Sequence, residues 1–427
     1  MPSMDDRRAN LSPEKRALLE KRLKGLAAKS ESTLPPAPAA VQDDVSLTEE
    51  LAIGPGAPGP VSDALWAEMV EIGNQEARRL AAEPSLLADA AHEPVHDRQA
   101  AAFLAAALIR LGVFQAAGEE WTIEGLIARR GVLPKYGKAL RRWLSALTEE
   151  GILEHRGDSY VAREPLPSPA LDALATDQKR DYYGKNLVAV LTGETHPLEF
   201  YLPGGSSKSV ESSYRELPIF LYCNGIASAV MAAQSRAQPA GRRLRLLEVG
   251  AGTGGTTASL LPLLPVESSV FVFTDVSRFF TDLGSKKFAG FPFLRYRVLD
   301  IENDPVPQGY PAASFDWVVA AHVLHATRNV EETLRHVRRL LAPGGVLLLL
   351  EETRFQRKYN FSMGFLPGFD RFEDYERRPL HPLLSSARWG EELRAAGFAG
   401  FASFTEPGSA AEVMGVDVML ARLPEGA

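Results

Sequence analysis

Three glycines in one short loop, Gly250, Gly252 and Gly254, have the spacing that points most directly to chemistry in this sequence. The loop follows an apolar run at 244–247 and precedes a helical pattern. Glycine lets a backbone turn sharply and approach a ligand closely, and a strand–loop–helix unit of this kind cradles nucleotide-type cofactors. The G-x-G-x-G spacing and the acidic Glu248 before it favour an adenosyl cofactor without a pyrophosphate, because the carboxylate would repel phosphates.

Acidic residues also end the next two predicted strands. Asp275 is placed to accept hydrogen bonds from both ribose hydroxyls of an adenosyl cofactor. Asp300 is placed to accept a hydrogen bond from the adenine amino group. A single Asp at a strand end is more often a turn former, but acids at three successive strand ends, counting Glu248, indicate a cofactor rim. We also assign Ile301 and Ala321 to the cofactor site.

A histidine and a glutamate end the following two strands. His325 comes just after the fourth predicted strand and Glu351 lies at the end of the fifth, so both belong to the same edge of the sheet. A carboxylate fixes the tautomer of a histidine and raises its basicity, which suits a general base. A buried histidine bonded to the backbone is the alternative, and the position on the cofactor rim favours the base.

The elements that must position these residues alternate between strands and helices. This alternation predicts an α/β fold with a doubly wound, mostly parallel sheet and helices on both faces. No helix separates the last two strands, so one of them is expected to be antiparallel. The seven predicted strands are 244–249, 270–275, 294–299, 315–321, 345–351, 398–404 and 415–422.

The residues before the sheet fall into three parts. Residues 1–28 predict a docking helix, with a disordered leader as the alternative, and 29–60 have the Pro, Ala and Gly content of a flexible linker. Residues 61–235 predict a helical, winged-helix-like lid over a catalytic domain at 236–427. A DNA-binding winged helix is the other interpretation, but acidic residues interleave with its basic ones.

Composition narrows the functional class. The 427 residues carry a net charge of −7, which argues against nucleic acid as a partner. The sequence has no apolar run long enough for a membrane span, no secretory signal and a single cysteine, Cys223, so a cytoplasmic protein is expected. His92 and His96 satisfy the H-E-x-x-H pattern of zinc proteases, but Pro94 is expected to interrupt the helix that this motif requires, and we predict no metal site.

Several longer motifs, in order, resemble the methyltransferase domains embedded in polyketide and nonribosomal peptide synthases. The likeness covers roughly residues 180–405, and a downstream stretch, 363–389, is similar to the Leu-Pro-Gly-Trp-Trp segment of that family. The matching motifs are at 248–255, 273–280, 299–309, 322–327 and 342–353.

The resemblance implies a class I, Rossmann-like methyltransferase with an N-terminal helical lid and S-adenosyl-L-methionine as cofactor. It implies that His325 and Glu351 form the catalytic dyad of the carbon-methylating branch. It assigns Tyr222, His322 and Phe369 to the acceptor pocket. His322 stands where the family usually has Asn, and Phe369 stands where it has Trp.

The resemblance also implies the substrate and the partners. We expect methylation of the α-carbon of a β-ketoacyl thioester, carried on the phosphopantetheine of an acyl carrier protein that belongs to a synthase module. The process would be polyketide, nonribosomal peptide or antibiotic biosynthesis, without nucleic acid or membrane partners. Methylation of an oxygen of the same kind of intermediate is one alternative, and a non-catalytic scaffold or regulator is another.

Overall fold

The computed structural model describes residues 47–51, 61–166, 175–197, 217–365 and 368–425. The chain divides into two compact units, residues 1–50 and 51–427. Of the first, a short helix at Leu47–Glu50 is described. The predicted docking helix at 1–28, and the predicted linker at 29–60 apart from 47–51, lie outside the described residues.

The first part of the larger unit is mainly helical and contains a small antiparallel sheet with the strand order β1-β3-β2. Ser62 caps the first helix by accepting a hydrogen bond from the N–H of Leu65, at 3.2 Å. One more helix follows this small sheet. The elements are α1 (Asp63–Ala81), α2 (Pro84–Arg110), β1 (Glu120–Thr122), α3 (Ile123–Arg130), α4 (Gly137–Glu149), β2 (Leu153–Arg156), β3 (Ser159–Ala162) and α5 (Asp177–Thr192).

Helix α2 differs from the sequence expectation because it runs through Pro94 without interruption. The rings of His92 and His96 stack with their centroids 6.4 Å apart, and both side chains are exposed. Within the described ranges, neither histidine belongs to a group of three ligands close enough to hold a metal. The continuous helix therefore satisfies one requirement of the H-E-x-x-H motif, while the third ligand is missing there.

The second part is built on a seven-stranded sheet with the order β6-β5-β4-β7-β8-β10-β9. Its first five strands are parallel, whereas β10 runs antiparallel to both β8 and β9. This confirms the α/β fold class, the seven strands and an antiparallel strand among the last two. The expectation that no helix separates these two strands is wrong, because a five-residue helix, Ala410–Met414, lies between them. The strands are β4 (Leu244–Val249), β5 (Ser269–Asp275), β6 (Leu294–Val298), β7 (Phe315–Ala321), β8 (Leu341–Glu352), β9 (Gly400–Ser403) and β10 (Val416–Arg422).

Helices cover both faces of this sheet. Because parallel strands are buried on both faces, they are apolar almost throughout, and every residue of β4 and β5 is buried. None of the helices in the described part of the chain is long and apolar enough to cross a membrane. The helices are α6 (Pro218–Arg236), α7 (Gly255–Leu260), α8 (Arg278–Lys287), α9 (Val330–Leu340), α10 (Ser386–Ala395) and α11 (Ala410–Met414).

Two basic residues of α4 contact the segment that follows β8. Lys138 donates to the backbone carbonyls of Asp370, at 2.6 Å, and Phe372, at 3.1 Å. The buried Arg142 forms an ion pair with the carboxylate of Asp370 and donates to the carbonyl of Gly364, at 3.3 Å. These two cations therefore hold the helical part against the sheet part.

Candidate active site

The glycine loop between β4 and α7 leaves open space at one of its three glycines. Gly252 has φ +54°, and a Cβ built there would meet only the carbonyl oxygen of Gly250, at 3.9 Å. A Cβ at Gly250 would instead collide with Val323, and one at Gly254 with the ring of Phe288. Two of the glycines are thus required by packing, and Gly252 is the one that lets a ligand approach the backbone.

Two buried carboxylates lie beneath this loop. Glu248 accepts a hydrogen bond from the hydroxyl of Thr257, and burial raises the pKa of Glu248 to about 8. Asp275 accepts the backbone N–H of Gly252, at 3.0 Å, and that of Ser277, at 2.8 Å. Burial raises the pKa of Asp275 in spite of these two hydrogen bonds. A cationic ligand would offset the cost of burying these carboxylates in ionised form.

Asp300 has a different environment, in the turn that follows β6. Its carboxylate accepts the backbone N–H of Glu302, at 3.0 Å, and the side-chain amide of Asn303, at 2.7 Å. Its own N–H donates to Gln308 at 2.9 Å. The next residue, Ile301, is 5% exposed, so it contributes apolar surface to the same turn. Asp300 thus holds the turn together, as an Asp at a strand end often does.

His325 and Glu351 meet at the ends of the neighbouring strands β7 and β8. Glu351 is fully buried, and its Oε1 accepts the backbone N–H groups of Leu324, at 2.8 Å, and His325, at 3.3 Å. Its Oε2 accepts the Nδ1–H of the His325 ring. None of the described residues hydrogen-bonds to the Nε2 of His325. The structure thus brings the predicted dyad together and fixes one tautomer of the imidazole.

The surroundings of His325 favour its protonated form. Burial by itself disfavours the charged imidazolium, but Glu351 and Glu352 outweigh it and raise the pKa of His325 to about 9. The Oε2 of Glu352 lies 3.7 Å from the Nδ1 of His325. This imidazole therefore binds a proton more tightly than a histidine in water does.

Arg378 orients the turn of His325 and was not found by sequence reasoning. Its guanidinium is buried and donates to the backbone carbonyls of His325, at 2.7 Å, and Thr327, at 2.9 Å. Asp374 accepts a hydrogen bond from the Nε of Arg378, at 2.7 Å, and one from the N–H of Val330, at 3.1 Å. The stretch 363–389 was singled out in the sequence, but nothing in it marks which of its arginines is buried.

A second histidine–glutamate pair lies beside the first. The Nδ1 of His322 is 3.0 Å from the Oε2 of Glu352, and both side chains are almost fully buried. His322 follows Ala321, the last residue of β7, and has φ +57°. Its N–H donates to the carbonyl of Leu350 in β8, at 2.7 Å. The sequence placed His322 in the acceptor pocket but gave no role to Glu352.

The ligand atoms of His325, Glu351 and Glu352 all lie within 4.8 Å of one another, the one such group in the part of the chain that is described. They are already partnered, because Glu351 accepts the Nδ1–H of His325 and Glu352 faces both His322 and His325. We therefore treat these side chains as an acid–base cluster and assign no metal to them.

Comparisons with known proteins agree with this geometry. Residues 247–347 match the family described as methyltransferase domain. The lovastatin diketide synthase mokB of Monascus pilosus is 38% identical over 246 residues, which are 57% of this chain and 9% of that synthase. The chain therefore spans less than a tenth of the length of this curated relative.

Solved structures match far more of the chain. The CurJ carbon methyltransferase is 30% identical with a TM-score of 0.76, and the match covers 83% of this chain and 99% of that one. The trans-methyltransferase CalH, in a complex with SAH, is 26% identical with a TM-score of 0.55, over 78% of this chain and 92% of that one.

The chain belongs to the carbon methyltransferase family of polyketide synthases. This confirms the family predicted from the motifs, the class I fold, an S-adenosyl-L-methionine-dependent methyltransferase activity and the cofactor. The glycine loop of this methyltransferase fits that cofactor, since Gly252 leaves room at the backbone and Asp275 braces the loop from below.

The other two predicted pocket residues, Tyr222 and Phe369, are both buried. The hydroxyl of Tyr222 in α6 is 3.5 Å from Thr405 Oγ1, and the N–H of Thr405 donates at 3.0 Å to Asp417, which pairs with Glu351 across β10 and β8. Burial raises the pKa of Tyr222, so its hydroxyl stays protonated. Phe369 is buried beside Phe355, their ring centroids 6.4 Å apart.

A cavity of about 560 Å³ opens between the helical part and the sheet part of the methyltransferase. Helices α2 and α4 form one wall, and Phe355 and His381 form part of the other, their rings stacked with centroids 4.9 Å apart. Arg354 in this wall follows Glu351 by three residues, so the Cα atoms of these two residues lie within about 11 Å of each other.

Proposed function

We propose that this methyltransferase methylates the α-carbon of a β-ketoacyl thioester bound to an acyl carrier protein, with His325 as the general base. The observation that carries the proposal is the buried contact between His325 Nδ1 and Glu351, which fixes the imidazole so that Nε2 is the nitrogen available to a substrate. A general base needs a fixed orientation and a proton affinity matched to its task.

We propose that the cofactor is held at the glycine loop and the three strand ends beside it. When bound, S-adenosyl-L-methionine supplies an activated methyl group. The chain's own contribution is to hold the cofactor and the acceptor in line with each other, which is a large part of the rate enhancement in such transfers. The proposed cofactor residues are Glu248, Gly250, Gly252, Gly254, Asp275, Asp300, Ile301 and Ala321.

The proton transfer follows from the dyad. The α-C–H bond breaks, its proton passes to Nε2 of His325, and its electron pair stays on the acceptor as an enolate. The enolate carbon would bond to the methyl group as the methyl–sulfur bond of the donor breaks, and S-adenosyl-L-homocysteine would be the leaving group. Glu351 stabilises the imidazolium that forms. Because the carboxylates raise the pKa of His325, the fraction of base grows, and with it kcat/KM, as the pH increases toward about 9.

The cavity between the two parts is the proposed path of the phosphopantetheine arm. Arg98 in α2 and Arg354 after β8 line it, and no carboxylate of the described ranges lies within ion-pair distance of either. The other two arginines of the wall are occupied, Arg142 by Asp370 and Arg357 by a pair of glutamates. Two arginines without a carboxylate partner suit a phosphodiester.

The experiment is methyl transfer from a deuterium-labelled donor to a β-ketoacyl carrier protein, with the label located by tandem mass spectrometry. We expect the label on the α-carbon in the wild type and no transfer of label in His325→Ala. His155→Ala serves as the control, because His155 is an exposed histidine of β2. Label on an oxygen would overturn the acceptor assignment. Full activity of His325→Ala would overturn the base. No donor binding in calorimetry would favour a non-catalytic scaffold.

A further inference from the structure

The second pair, His322 and Glu352, lies beside the dyad at the ends of the same two strands. His322 precedes His325 by three residues on the loop after β7, and Glu352 follows Glu351 directly in β8. The Oε2 of Glu352 faces both imidazoles, at 3.0 Å from the Nδ1 of His322 and 3.7 Å from that of His325. The four side chains therefore form one buried cluster in which Glu352 is shared.

The backbone holds His322 in this place. Its φ of +57° is left-handed, a conformation that is unfavourable for an L-residue other than glycine. The N–H of His322 is anchored to the carbonyl of Leu350, and its ring meets Phe220 of α6 edge-on with centroids 5.3 Å apart. The imidazole of His322 thus contacts both Phe220 and Glu352.

The charges of the cluster make the second pair relevant to the base. The pKa of Glu352 is lowered to about 2 and that of His322 is raised, in both cases because their mutual attraction outweighs burial. The mutual attraction therefore favours the ionised form of the pair, which is neutral as a unit. Without His322, two buried carboxylates would face one imidazole, and His325 would hold its proton still more tightly.

Three further groups face the cluster, and two of them keep one charge state in this range. Arg378 is a permanent cation beside the carbonyl of His325, and it opposes protonation of that ring. Cys223 of α6 lies near Glu352, and burial raises its thiol pKa well above the usual value, so it stays neutral. Asp417 pairs with Glu351 across β10 and β8, and burial raises its pKa. Apart from Asp417, the groups that titrate beside His325 are therefore His322, Glu351 and Glu352.

We propose that His322 is a positioning residue for the base: by pairing with Glu352 it limits how tightly His325 holds a proton. This inference rests on the proposed role of His325. Two substitutions separate it from simple packing because they act in opposite directions. His322→Asn, which suits the left-handed backbone, removes a cation beside His325. Glu352→Gln removes an anion beside His325, and the glutamine side chain has nearly the same shape as the glutamate that it replaces.

The test is the pH profile of kcat/KM together with an NMR titration of the His325 ring in the full chain without substrate. We expect His322→Asn to move the midpoint up by about one pH unit and Glu352→Gln to move it down by about as much. The double variant should return close to the wild-type value, since it removes the cation and the anion together. His155→Asn, on the exposed wing, should leave the profile unchanged.

Midpoints that do not move, or that move in the same direction in both variants, would overturn the proposal, even if kcat falls. Should His322→Asn fail to fold, His322→Gln offers the same loss of charge. Titration of Glu352→Gln alone still shows in which direction the midpoint of His325 moves. The NMR readout needs no turnover. A wild type without methyl transfer would therefore overturn the proposed function while leaving this inference open to confirmation.

Discussion

Glu351→Gln is the substitution whose effect follows most directly from the geometry. The Oε1 of Glu351 accepts two backbone N–H groups, those of Leu324 at 2.8 Å and His325 at 3.3 Å. In a glutamine at this position the amide oxygen must take the Oε1 place, because an amide NH₂ there would face two donors. The NH₂ group is then forced against the Nδ1 of His325, in the place of Oε2.

This swap reverses the tautomer of the base. With a donor facing it, Nδ1 of His325 must become the acceptor, so the proton moves to Nε2, the nitrogen that has to receive the α-proton of the substrate. General acid–base catalysis contributes about 10²–10⁴-fold to a rate, and we expect kcat to fall by a factor in that range. The pKa of His325 falls as well, since the charge that chiefly raises it is removed.

The assay is single-turnover methyl transfer, accompanied by deuterium uptake at the α-carbon in D₂O without the methyl donor. Both rates should fall together if His325 takes the proton. Glu392→Gln is the matched control, because Glu392 is a buried, ion-paired carboxylate in α10, bound by Arg377. It should lower the thermal midpoint without changing kcat. A Glu351→Gln enzyme that keeps its exchange rate within threefold of wild type would refute the tautomer argument.

Three further predictions concern the cofactor loop, the orienting arginine and the cavity. Gly252→Ala should weaken S-adenosyl-L-methionine binding by tenfold or more in calorimetry, whereas Gly241→Ala, also at positive φ (+78°) in open space, should cost about 1 kcal/mol of stability and leave binding unchanged; equal binding losses would contradict the cradle. Arg378→Met leaves a buried acid without its partner, so the free energy of unfolding should fall by about 3–5 kcal/mol in denaturant titrations, and kcat should fall even where the protein is fully folded. Unchanged kcat would exclude a positioning role. The double variant of Arg98→Gln and Arg354→Gln should raise KM for a phosphopantetheinyl acceptor but not for a truncated thioester without phosphate; equal changes for both would contradict a phosphate contact.

Much of the fold could be predicted because the buried strands leave a periodic trace. The predicted strands 244–249 and 315–321 coincide with β4 and β7, residue for residue. Strand β8 begins at Leu341, four residues before its predicted start, since Leu341 pairs with Phe315 ahead of an irregularity after which the pairing resumes at Val346. Helix α2 shows the limit of local signals: an internal proline does not end a helix whose neighbouring turns are held by packing.

The contact between His325 and Glu351 could be predicted because parallel strands bring their carboxyl ends to one edge of a sheet. His325 and Glu351 needed only that rule. Arg378 and Glu352 could not be found in the same way, because their roles depend on which side chains turn inward. Asp300 shows the reverse case: its position on the rim was predicted, and the structure shows that its carboxylate also holds its own turn.

One stretch of the chain makes two contacts, one with the helical part and one with the turn that carries His325. Arg142 of α4 binds Asp370 and the carbonyl of Gly364, and a few residues further along the same stretch Arg378 binds the carbonyl of His325. The side chains that bring the helical part onto the sheet part therefore anchor the same segment that orients the imidazole. Loss of the ion pair between Arg142 and Asp370 should consequently lower kcat, because it disturbs the segment that carries Arg378, and should not only weaken acceptor binding. By this argument, the helical part of this methyltransferase helps to hold the imidazole of His325 in position.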